Sequence, residues 1–193
     1  MAGVRQFDED HAFEKALDIF WAKGFRATSM LDLAQATGVQ RGSLYNAYGD
    51  KEEIFIRVFE RYVTDFVGDC AKMLNKPDLR DALTAFFTFT IRSISQGSPS
   101  RGCLSTKVAI ELDPESPRQR AALKKMFDLL ESALMKALDT PEARAQLAIS
   151  PEQATAIIVT MTRGIAVMER VYSDPKRLRQ TTAALVDTLL RKT

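Results

Sequence analysis

Four polar side chains between residues 40 and 46 carry the most informative chemistry in the chain. Gln40, Arg41, Ser43 and Asn46 lie on a stretch whose Leu44 and Tyr48, four residues apart, share the other face of a short helix. Amide, guanidinium and hydroxyl groups on such a face match base edges in a major groove, where Arg reads guanine and Asn or Gln reads adenine. Lys51 follows at the first turn of another helix, where an ammonium and nearby backbone N–H groups can meet a phosphate.

These residues need a helix, a turn and a second helix to hold them. Thr28 or Ser29 can cap the first helix, since a hydroxyl accepts from the free N–H groups of its first turn. Leu31, Leu33 and Ala34 give that helix an apolar side. Gly38 stops it, because glycine takes the left-handed conformation at little steric cost. Val39 is expected to point inward as the hinge of the turn. Asp50 and Glu53 form a D-x-x-E capping box for the helix that follows. A helix-turn-helix docks its second helix with the first turns on the bases. The other reading of the same pattern is a helical hairpin inside a core.

The stretch GFRATSMLDLAQATGVQRGSLYNAYGDKEEIF resembles the DNA-binding region of the TetR/AcrR family of transcriptional regulators. The resemblance is carried by the aromatic-glycine-aromatic run Trp21–Phe25, Thr28, Leu33-Ala34, Thr37-Gly38-Val39, Gly42, Leu44-Tyr45, Tyr48 and Lys51. It implies base or nearby phosphate contacts by Gln40, Arg41, Ser43 and Asn46, and backbone contacts by Thr28, Ser29, Tyr45 and Lys51. Tyr45 can pack its ring on a sugar and bond a phosphate. Two positions depart from the family pattern: Gln40 stands where a capping Ser or Thr is usual, and Ala47 replaces a common second aromatic.

Length and composition frame this reading. The chain has 193 residues, enough for one or two small domains with a sizeable core. Prolines and glycines fall between apolar periodic runs, which predicts an all-α fold. No apolar run spans a bilayer and no basic-then-apolar leader opens the chain, so a cytoplasmic protein is expected. Two cysteines make no disulfide framework, and the single histidine, His11, leaves no cluster for a metal. No cofactor is implied. Net charge is +2 overall, and residues up to Lys51 hold six bases and seven acids. Bulk charge therefore does not argue for nucleic acid; the placement of Arg26, Arg41 and Lys51 around the motif does.

The expected architecture is about nine helices. Residues 1–51 form a three-helix DNA-binding domain, and residues 52–193 a helical effector-binding and dimerisation domain. A helix from Asp50 to Leu74 acts as a strut, and breaks fall at residues 75–78, 97–100, 113–117 and 141–151. Ile157, Ile158, Met161, Ile165, Met168 and Val171 stripe the penultimate helix, with Gly164 open to close approach. With the last helix, it suits a homodimer of two reading heads on a pseudo-palindromic operator. The strict alternative is that both helices complete the monomer core.

Effector-lining candidates are Phe66, Met73, Phe86, Phe89, Met126, Phe127, Met161 and Tyr172, which also read as ordinary core. Arg92 and Arg163, charges within apolar helices, and Cys103 are further ligand-binding candidates; each arginine also reads as an ion pair with a neighbouring helix. Cys103, at a helix start beside Arg101 and Gly102, has the setting that lowers a thiol pKa. Gly-Cys-Leu there resembles a subgroup of the family in which some members sense electrophiles or oxidants. The resulting expectation is a repressor released by a small-molecule effector, with thiol sensing through Cys103 as an alternative. A helical interaction module that has lost DNA binding is the rival. An enzyme is not expected, since no nucleophile-base pair, phosphate loop or metal cluster is visible.

Overall fold

The computed structural model describes residues 7–112 and 116–191, and among them the regular elements are all helices, with one isolated antiparallel bridge between Leu147 and Leu190. The helices are α1 (Glu9–Ala27), α2 (Met30–Thr37), α3 (Arg41–Tyr48), α4 (Lys51–Leu74), α5 (Leu79–Ile94), α6 (Leu104–Glu111), α7 (Pro117–Leu138), α8 (Pro141–Gln146), α9 (Pro151–Tyr172) and α10 (Pro175–Leu189). The tenth, beyond the nine expected, is the short α8, capped by the Thr140 hydroxyl on the Ala143 N–H. Residues 113–115 of the expected break lie outside the described residues. No described helix is long and apolar enough to cross a membrane.

Two compact units emerge. The first comprises Met1–Thr64 and Lys107–Lys124, the second Asp65–Thr106 and Lys125–Thr193. The expected division cuts the chain at residue 51, whereas the first unit also takes the early turns of α4 and parts of α6 and α7. Lys107 and Glu111 of α6 bond the Trp21–Arg26 backbone and Arg118 of α7 pairs with Glu52 and Glu53, while α4 joins through aromatic packing. Phe55 of α4 meets Phe20 at 5.1 Å, Phe25 at 5.2 Å and Phe59 at 5.4 Å between ring centroids. Trp21 meets Tyr62 edge-on at 5.1 Å. Such offset and edge contacts add to the area these rings bury.

In the second unit, α5 buries Leu79, Leu83, Phe86, Phe87 and Ile91 and packs on α9 and α10. α9 buries Ala154, Ile158, Val159 and Ile165, and α10 buries Leu178, Val186 and Leu189. The segment Leu189–Arg191 is tied to the α8–α9 link, where Arg191 N donates to the Gln146 carbonyl at 2.8 Å and Ala148 N to the Leu189 carbonyl at 2.9 Å.

Candidate nucleic-acid interface

The helix-turn-helix is built by local chemistry. Ser29 caps α2 with a reciprocal box: its hydroxyl accepts from Asp32 N, and the Asp32 carboxylate accepts from Ser29 N. The same carboxylate pairs with Lys23. The bonds from Lys23 and Ser29 hold the Asp32 carboxyl well below the usual carboxylate range. At the other end, Gly38 takes φ 69° in the left-handed region. The Thr37 hydroxyl donates to Leu33 O at 2.7 Å and accepts from Val39 N at 3.2 Å, which fixes the turn. Val39 is buried, as its hinge role requires.

α3 turns Leu44 and Tyr48 into the core and leaves Gln40, Arg41, Tyr45 and Asn46 exposed, with Ser43 half-buried. The Arg41 guanidinium lies 5.7 Å from the Tyr45 ring centroid, so two groups with different DNA targets share one surface. Gln40 makes no side-chain cap, leaving the α3 N–H groups open at the face that would meet DNA. Tyr48 anchors α3: its hydroxyl donates to Glu9 at 3.1 Å and its ring packs on Phe13 at 5.9 Å.

The other expected backbone contacts are placed differently. Thr28 is buried, and its hydroxyl donates to the Gly24 carbonyl at 2.6 Å; that side chain is not on the surface. Lys51 is half-buried, and Nζ donates to Phe25 O at 2.9 Å and Thr28 O at 2.8 Å. The Phe25 ring centroid lies 4.3 Å from Nζ, and the two carbonyls take two of the three ammonium donors. Burial lowers the Lys51 pKa, and the Glu111 carboxylate works against that shift. Leu31, expected on the apolar side of α2, is instead 54 % exposed, beside the buried Met30. Asp50 caps α4 through Glu53 N at 2.7 Å, while the Glu53 carboxylate is taken by Arg57 and Arg118.

Of the effector-lining candidates, the structure brings together Cys103, Phe127 and Arg163. The Arg163 guanidinium lies over the Phe127 ring at 5.3 Å, and its Nη1 donates to Ser105 Oγ at 2.5 Å and to Cys103 Sγ at 3.5 Å. Cys103 Sγ and Ser105 Oγ are 3.1 Å apart. No carboxylate among the described residues pairs with Arg163. Burial pushes the Cys103 thiol up, but the Arg163 charge and the Ser105 and Thr106 hydrogen bonds outweigh it, so the thiol lies below its ordinary value. Cys70 is the opposite case: burial pushes its thiol up to about 12.

The remaining candidates disperse. Phe86 and Met126 are core, Phe66 is buried against Phe89 at 5.7 Å, and Met73 and Met161 are half-buried. Arg92 is exposed, so it clamps nothing inside the unit. Tyr172 is 52 % exposed, with Arg177 stacked on its ring at 4.3 Å. An open cleft of about 680 Å³ lies elsewhere, among Gly68, Ala71, Ala82, Ala133, Ala137 and Ala143, with Lys72, Lys76 and Lys136 on its rim. Small side chains leave that space, so no aromatic pattern in the sequence marks it. Ser105 is marked in the sequence only by its place two residues after Cys103, at the start of a helix.

The family model for bacterial regulatory proteins of the tetR family matches residues 13–58, and that for the tetracyclin repressor-like C-terminal domain matches residues 80–185. The chain is 29 % identical to the HTH-type transcriptional repressor ComR of Escherichia coli K12 over 143 residues, covering 73 % of this chain and 68 % of that protein. It is 23 % identical to the repressor DhaR of Mycobacterium sp. GP1, covering 95 % and 92 %. Its fold matches the reduced form of E. coli NemR with a TM-score of 0.85 at 20 % identity, over 95 % and 97 % of the two chains. A cysteine mutant of CifR, solved with a 26-base-pair operator, matches with a TM-score of 0.81 at 23 % identity, over 96 % and 98 %.

Proposed function

Because the chain belongs to the tetR family of bacterial regulatory proteins, we propose that this DNA-binding transcriptional regulator is a homodimeric repressor of a pseudo-palindromic operator. The observation that carries the reading is the exposed strip of Arg41, Tyr45 and Asn46 on a helix whose opposite face, Leu44 and Tyr48, is fixed in the core. Arg41 and Asn46 address base edges, while Tyr45 and the third N–H of Lys51 address the phosphate backbone; Ser29, whose hydroxyl and N–H both donate to Asp32, serves as the α2 cap instead. Two copies joined through α9 and α10 present two such helices to major grooves one turn apart, or a multiple of that. An effector that binds the non-matching conformation more tightly lowers operator occupancy. The open cleft among Gly68, Ala71, Ala82 and Ala133, lined by Glu142 as well as by lysines, offers a small effector a place in the second unit.

Selection of bound duplexes from a random pool tests this. The parent is expected to enrich an inverted repeat. Arg41→Ala and Tyr45→Ala are each expected to weaken binding to it by about tenfold, as loss of one good base or backbone contact does. Recovery of no motif, or of one indifferent to both changes, overturns the reading in favour of an interaction module.

The Cys103–Ser105–Arg163 cluster favours a second reading, in which the effector is an electrophile or oxidant. A thiolate stabilised by a guanidinium is the nucleophilic form of cysteine. Native protein exposed to iodoacetamide is expected to be alkylated at Cys103 well before Cys70, with the Cys103 rate rising as pH approaches its lowered pKa. Cys103→Ser is expected to bind the operator as the parent does and to lose release by electrophiles. Equal labelling of both thiols, or normal release of the mutant, sinks the thiol reading alone.

A further inference from the structure

The segment from Trp21 to Thr28 turns the chain from α1 into α2, and side chains from two later helices, α4 and α6, hold it. Gly24 leaves the helical conformation at φ 81°, a region that favours glycine. Lys107 Nζ donates to the Trp21 carbonyl. The Glu111 carboxylate accepts from Phe25 N at 2.8 Å and Arg26 N at 3.3 Å. Lys51 takes the Phe25 and Thr28 carbonyls, and the Thr28 hydroxyl takes that of Gly24. A Cβ on Gly24 would lie 2.1 Å from Glu111 Oε1. The glycine is thus needed twice, for its dihedral and for the space the carboxylate fills.

An exposed corner could leave these groups to water, as helix ends commonly do. Here a carboxylate 85 and 86 residues downstream binds two successive amides instead. α2 begins at Met30, two residues past the corner, and the turn to α3 follows eight residues on. The direction of the corner therefore sets the direction of the recognition helix. Glu111 is also the last residue of α6, and the first, Leu104, follows Cys103 directly.

We propose that Glu111 and Lys107 are positioning residues for DNA recognition: from the later turns of α6 they fix the Trp21–Thr28 corner, and with it the angle at which α3 is offered to an operator. The idea rests on the operator-reading function above, and its test separates the two. Glu111→Gln keeps the size of the side chain and one acceptor oxygen but removes the charge. Lys107→Met keeps the stem and removes the ammonium. Each is expected to lower affinity for the inverted repeat selected by the parent about tenfold, the effect of one charge-assisted hydrogen bond. Thermal unfolding and binding to unrelated duplex are expected to stay close to the parent's. Amide exchange at Phe25 and Arg26 in the DNA-free protein is expected to accelerate in Glu111→Gln.

Unchanged operator affinity overturns the proposal. So does a loss that tracks a fall in the unfolding midpoint, which marks a scaffold contact only. Should the parent select no repeat, the operator reading fails, and amide exchange still judges the clamp: unchanged protection at both amides overturns it.

Discussion

Replacing Val167 with Asp is expected to convert the proposed dimer to monomer and to reduce affinity for a full inverted repeat to that for a half-site. Val167 is 48 % exposed in the single chain, on a face of α9 it shares with Ile157, Met161, Gly164, Met168 and Val171. Residues 157, 161, 164, 168 and 171 alternate steps of four and three, the period of a seam between helices. Among the described residues Gly164 has no neighbour within 4 Å of where a Cβ would stand, so none of them demands a glycine there; a second helix approaching closely would. Contiguous exposed apolar surface of this kind marks an association site. In the single chain the added carboxylate stays in water and costs little beyond helix propensity, under about 1 kcal/mol. Against a second copy it would be buried without a partner, which an interface does not tolerate. Losing the second reading head removes the effective-concentration advantage, on the order of 10²–10⁴-fold. Light scattering should give a mass near 21.6 kDa instead of twice that. A variant that stays dimeric would exclude this face as the contact.

The reading head was legible because its logic is local. A cap at Ser29, a glycine at 38, an inward Val39 and a polar face opposite Leu44 and Tyr48 each follow from neighbours within one or two turns. The same locality explains Gln40, whose missing cap was visible from residue type alone. What failed depended on contacts between distant segments. Lys51 reads as a fully free phosphate ligand until the Phe25 and Thr28 carbonyls, 26 and 23 residues away, take two of its three donors. Thr28 reads as a surface hydroxyl until the corner folds over it. Arg92 and Tyr172 sit on apolar helices, and periodicity cannot say that their own faces point outward. Glu111 had no signal at all: a single acid near a helix end is commonplace, and only the folded corner gives it two amides to bind. The Cys103 setting was half legible. The helix start was visible, but Arg163 lies 60 residues away, and its charge does more for the thiol than the neighbouring Arg101 that the sequence suggested.

Phe55→Ala is expected to destabilise the first unit by about 3–5 kcal/mol, the usual cost of removing a core aromatic and leaving its space. Phe55 is 1 % exposed and touches three other rings, Phe20, Phe25 and Phe59, so no single neighbour can relax into the void. Alanine favours helix over phenylalanine, and the loss cannot be charged to the backbone of α4. Against a total stability of roughly 5–15 kcal/mol for a domain, this is enough to leave the reading head marginal. The chain carries one tryptophan, and Trp21 lies in this unit against Tyr62. Its fluorescence therefore follows the first unit, while far-UV circular dichroism follows all helices. In urea, the fluorescence midpoint of the variant is expected to fall well below that of the parent and ahead of the dichroism midpoint, because α5, α9 and α10 keep their own core. Phe55→Leu retains most of the apolar volume and is expected to lose under about 1.5–2 kcal/mol. Two variants of equal stability would mean that the ring cluster is not what holds the unit. Operator affinity should follow the fluorescence and not the dichroism, since Phe25 and Phe55 together support the corner from which α2 and α3 depart.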